Sequence, residues 1–170
     1  MTTTRRLVLI LACLLLAPAT GYPENPATPH TPAPTSRLHL SPALSDLLRQ
    51  EMNAILQGMQ ALMPAIVTGN WEAVADIGDR IQHSYIMQQQ LTDPQRQELQ
   101  QALPAAFLEL DQSFHHAAGR LAHAAQQHNA EVVNFYFYKL TDTCVACHGR
   151  FAGDRFKGLA GAAGGAEHRH

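Results

Sequence analysis

The sequence predicts an all-α fold, an antiparallel bundle of four helices within residues 41–157. Three observations lead there. Apolar residues recur at three- and four-residue steps through four successive segments. Capping residues open these segments: Ser41-Pro42, Asn70, Thr92-Asp93-Pro94 and Asn129. No alternating strand pattern competes, and short connections favour antiparallel neighbours.

The first helix starts at Ser41-Pro42 and carries Leu44, Leu48, Met52, Ile55, Met59, Leu62 and Ile66 as one stripe. Pro64 is expected to kink its last turns, and Gly69 to end it. The second is capped by Asn70, with Trp71, Val74, Ile77, Ile81 and Tyr85 inward, and is expected to reach about Gln90. The third starts at Thr92-Asp93-Pro94. Pro104 is expected to break it near Ala102, after which Phe107, Leu110, Phe114, Ala117 and Leu121 form its stripe as far as Gln127. The fourth runs from Ala130 to about Arg150, with Val133, Phe137, Leu140, Cys144 and His148 on one face.

Residues 1–19 read as an export signal: Arg5 and Arg6, the apolar run Leu7–Leu16, then Ala17-Pro18-Ala19, with cleavage expected after Ala19. Cys13 and the Arg pair resemble a lipoprotein box and a twin-arginine signal only loosely. Residues 20–40, with Pro23, Pro26, Pro29, Pro32 and Pro34, read as an extended linker. Residues 158–170 read as a disordered Gly/Ala-rich tail. Charged residues are only 15% of the 170, with fourteen acids against twelve bases. That balance offers no basic field for nucleic acid. Removal of the signal takes away Arg5 and Arg6, so the mature chain carries a formal charge of −4. No apolar run reaches the roughly 20 residues of a membrane span. A periplasmic location with no span in the mature chain is the expectation.

Cys144-Val145-Ala146-Cys147-His148 is the motif that carries chemistry. C-x-x-C-H is the attachment site of a c-type haem. Two thiols add to the two vinyl groups at one porphyrin edge, and the next residue brings its imidazole to the iron. On a helix, positions i, i+3 and i+4 share a face, so Cys144, Cys147 and His148 lie together. One haem c, covalent through Cys144 and Cys147, is the expected cofactor, with His148 as proximal ligand. A dithiol redox pair would want a strand–helix setting, and a structural zinc site needs four ligands in closed spacing. Neither pattern is present, since removal of Cys13 leaves no second pair. Only 22 residues follow His148 and none is Met, so a sixth ligand is expected from upstream.

Residues 44–157 resemble the cytochrome c′ class (class II c-type cytochromes). The resemblance rests on the C-terminal C-x-x-C-H in the last of four helices, the Phe/Leu/Ala spacing leading into it, and Phe151 just after it. In the first helix, Arg49 and Met52 stand much as that class places a propionate-facing Arg and a distal residue. It implies a periplasmic four-helix bundle, often dimeric, with haem between the last and first helices. By the same resemblance Arg49 would face a propionate and Met52 would be the distal ligand. In the family the Arg usually precedes the distal residue by four positions; here the two are three apart, and Asn53 stands at four. Members with a distal Met suit electron transfer, and members with a distal Leu or Phe bind NO or CO.

Other readings stay open beside these. Met52 and Met59 serve equally as core filler. His83, His115, His116, His123 and His128 are rival sixth ligands, expected mostly on flanks and surface. Arg49 is equally an exposed charge near Asp46, and Arg150 stands closer to the motif. The run Phe135-Tyr136-Phe137-Tyr138 covers a whole helical turn, so part of it faces outward and offers a homodimer contact. The expected function is single-electron transfer, with five-coordinate gas binding as the alternative and a haem enzyme as a weaker third. The redox partner protein is not legible.

Overall fold

Ser41 opens the first helix as expected: its hydroxyl accepts from the Leu44 N–H at 3.3 Å, with Pro42 in the first turn. The computed structural model describes residues 37–87 and 91–159. Within them lie five α-helices: α1 (Pro42–Val67), α2 (Trp71–Gln82), α3 (Asp93–Ala102), α4 (Ala105–Gln126) and α5 (Ala130–Phe151). A single 3₁₀ turn, Lys157–Leu159, follows. No strand occurs among the described residues, so the fold is all-α. The expected signal, most of the linker and most of the tail lie outside the described residues.

α1 ends on a Schellman turn. Asn70 N–H donates to Ala65 O at 2.9 Å and Gly69 N–H to Ile66 O at 3.1 Å, with Gly69 left-handed at φ +69°. The same pair of bonds closes α4, from Asn129 to Ala124 and from His128 to Ala125, with His128 at φ +52°. Asn70 and Asn129 then cap α2 and α5, accepting from Ala73 and Val132. Trp71 stacks on His128 at 6.4 Å, which brings these two turns together. The expected break near Ala102 is present. Leu103 is extended, as the residue before Pro104 favours, and separates α3 from α4.

The core draws on α1, α2, α4 and α5. Leu44, Leu62, Val74, Ile81, Leu121, Val133 and Leu140 are its largest fully buried side chains. α3 buries nothing and is tied in through Glu98, which accepts from Ser41 N–H at 2.8 Å. α2 packs mainly on α4, α4 on α5 and α1 on α2, while α1 meets α5 only sparingly. The α2–α4 crossing is close because Gly78 lacks a Cβ: one placed there would stand 2.9 Å from Ala118 O and 3.1 Å from Ala122 Cβ. Overpacking of this kind costs about 1–3 kcal/mol, against about 1 kcal/mol gained in helix propensity over Gly. Gly78→Ala is therefore expected to lower the denaturation midpoint. An unchanged or raised midpoint would contradict the close crossing.

Two details depart from the sequence reading. α2 stops at Gln82, about two turns before the expected end. Ser84 turns left-handed at φ +58°, and the next three N–H groups leave the helical pattern for a side chain of α1. Glu51, 3% exposed, accepts from Tyr85 (3.0 Å), Ile86 (2.6 Å) and Met87 (3.1 Å). The buried seam of α1 is accordingly Leu44, Glu51, Ile55, Gly58, Leu62 and Ile66. Met52 falls beside that seam and is 38% exposed. Gly58 in the same seam admits the Tyr85 hydroxyl, which lies 2.5 Å from the place a Cβ would take.

Candidate functional site

α5 runs unbroken through Cys144-Val145-Ala146-Cys147-His148 and ends at Phe151. Cys144, Cys147 and His148 are neighbours at helical spacing, all half-buried, while Val145 between them is exposed. Both thiols are free. Burial pushes the Cys144 thiol up, partly offset by a backbone hydrogen bond. Cys147 is pushed up to about 11, by burial first, then by Asp111 of α4 and by Cys144. Redox-active cysteine pairs work through a lowered thiol pKa, so this environment speaks against a dithiol–disulfide function.

His148 is held below the ordinary imidazole range, chiefly by burial and then by the charge of Arg155. Its ring is thus neutral around pH 7, the form that ligates a metal. One face stacks on Phe156 with centroids 4.4 Å apart and planes 16° from parallel. An open groove of about 310 Å³ adjoins the motif between α4 and α5, lined by Ala106, Glu109, Leu110, Ser113, Ala146 and Arg150. Phe151, singled out in the sequence, is a buried core residue set edge-on to Phe107 at 5.4 Å.

Two other expected site residues, Arg49 and Met52, lie on α1. Arg49 is more than half exposed and donates to Asp46 at 2.7 Å. Such exposed pairs contribute about 0–1 kcal/mol. Met52 lies beside the buried seam of α1 and is partly exposed. Arg150 is the arginine beside the motif, over the Phe151 ring and lining the groove. His83, His116, His123 and His128 are exposed, as expected. Among the described residues no group of three or more His, Cys, Asp or Glu is placed to hold a metal ion, so a closed zinc site is absent there. A haem differs in needing few protein donors, because the porphyrin nitrogens supply four iron ligands.

His115 departs from expectation. It is largely enclosed, with Nδ1 2.6 Å from Ile81 O and Nε2 3.6 Å from Asp111. Burial lowers its pKa, but the nearby Asp111 carboxylate, the Ile81 carbonyl and Glu51 together outweigh burial and raise it. A raised folded-state value adds stability below the unfolded value of 6.5, and that stability is lost as pH rises through the folded value. His115→Gln is therefore expected to lower the melting temperature most at pH 5–6, with the deficit shrinking towards pH 8–9. A deficit independent of pH would contradict this account.

Sequence periodicity does not mark Glu51, Asp111 or Phe156. Glu51 and Phe156 reach their partners across a turn or from another helix, and Asp111 meets His115 one turn along α4 but Cys147 from the neighbouring helix. No protein-family model, curated protein or solved structure matches the chain.

Proposed function

We propose that this chain is an exported monohaem c-type cytochrome that transfers single electrons, built as an antiparallel four-helix bundle. The observation that carries the reading is the C-x-x-C-H on α5, with two free thiols and an imidazole at i, i+3 and i+4 of one helix. The paired Schellman turns and the Trp71–His128 stack support the bundle topology, since the α1–α2 and α4–α5 turns lie together. The donor set, two thiols and an imidazole at i, i+3 and i+4 of one helix, is the one that thioether attachment of a haem requires.

Bound haem c supplies an iron centre that changes oxidation state by one electron. Cys144 and Cys147 would hold it through two thioether bonds, and His148 would ligate the iron. Arg150, beside the motif, is suited to pairing with a propionate; Arg49 is engaged with Asp46. In the electron-transfer reading Met52 would supply the sixth iron ligand.

Met52 lies beside the buried seam of α1 rather than in it, which favours a second reading, a five-coordinate protein that binds NO or CO. Visible spectra of the holoprotein, ferric and dithionite-reduced, with and without CO, separate the two. Sharp α and β bands on reduction with little response to CO are expected for electron transfer with a sixth ligand. A broad reduced spectrum that shifts cleanly with CO would overturn it in favour of gas binding.

A further inference from the structure

Histidine ligands to metals almost always donate their second ring N–H to a carboxylate, a carbonyl or water, which fixes the ring plane. Among the described residues, neither ring nitrogen of His148 has a hydrogen-bond partner. Its terminal torsion is of the broad, soft kind, so the backbone alone does not set the ring plane. The contact that does so is a phenyl face. Phe156 lies nearly parallel to the imidazole at 4.4 Å, leaving the nitrogen-bearing edge free.

Phe156 is well placed to hold that position. The chain turns back after α5, with Arg155 and Phe156 N–H both donating to Ala152 O at 3.0 Å and Leu159 N–H to Phe156 O at 2.8 Å. Gly153 is buried in the same turn. Arg37 reaches across from the start of the described chain to Asp154 at 2.6 Å. Arg155 stands over the Phe156 ring at 5.7 Å.

We propose that Phe156 is the positioning residue for the iron ligand His148, setting the imidazole plane by face stacking where other haem proteins use a hydrogen bond. The inference rests on the cytochrome reading. It assigns the turn after α5 a role in tuning the iron: ring-plane rotation changes the iron–imidazole interaction while the thioethers stay intact.

The test uses the full chain, matured with haem, as wild type, Phe156→Leu and Phe156→Tyr. The readouts are covalent haem content, the ferrous iron–imidazole stretching band (EPR g-values if a sixth ligand is bound), and the ring-current shift of the His148 protons in haem-free protein. Phe156→Leu is expected to retain full haem content but to shift or broaden the iron signal and to lose the ring-current shift. Phe156→Tyr, which keeps the aromatic face, is expected to restore both. A haem-loaded Phe156→Leu protein with the wild-type iron signal would overturn the positioning role alone. A wild-type chain that takes up no haem would overturn the cytochrome reading, and the ligand role with it, whatever the ring-current shift shows.

Discussion

Glu51→Ala is expected to lower folding stability by about 3 kcal/mol or more, a large part of the roughly 5–15 kcal/mol that holds a domain together. The size follows from what the side chain does. Both its oxygens are buried at the α1 seam and receive three consecutive backbone N–H groups just past the end of α2. The first of these, from Tyr85, would otherwise be available to close the Schellman turn of α2. Truncation strands three donors around a new cavity, and an unsatisfied buried donor costs about 1–3 kcal/mol. Partial rescue by water keeps the total below the simple sum. Glu51→Gln keeps one acceptor oxygen and the volume, so its loss is expected to be smaller. Chemical denaturation of both variants checks this; equal, small losses would contradict the role assigned to Glu51.

Much of the fold was legible because local chemistry wrote it. Ser41-Pro42, Asn70, Asn129 and Gly69 each act within a few residues, and each sits where the spacing placed it. Pro104 broke the third segment for the same local reason. What escaped was non-local. α2 ends early because of a glutamate 34 residues upstream of Tyr85, which no periodicity within α2 records. A stripe drawn through the large apolar residues of α1 puts Met52 inward and passes over Glu51. The true seam contains a Gly and a Glu, and an apolar count is blind to both. The site divides in the same way. Covalent chemistry fixes the C-x-x-C-H spacing, so the motif is visible in the sequence. Phe156 reaches His148 only because the chain reverses after α5.

The cysteine variants carry the largest expected effect on function. Cys144→Ser combined with Cys147→Ser is expected to abolish covalent haem entirely, leaving none on the polypeptide after denaturing electrophoresis. Each single variant retains one attachment point, so residual haem through one thioether is expected in reduced yield. His148→Ala is the complementary case, removing the proposed iron ligand while keeping both thiols. Its expected product is attached haem with an altered spectrum, provided maturation accepts it. Retention of full covalent haem by the double Ser variant would contradict the assignment of these two thiols.

The central claim is that this chain carries one covalent haem, and intact-mass spectrometry of the protein exported in a host with c-type maturation tests it most directly. The expected result is a single species heavier than the processed polypeptide by one haem, with a pyridine haemochrome band characteristic of two thioether bonds. A mass equal to the bare polypeptide, with both thiols open to alkylation in a host that matures a control cytochrome, would contradict it.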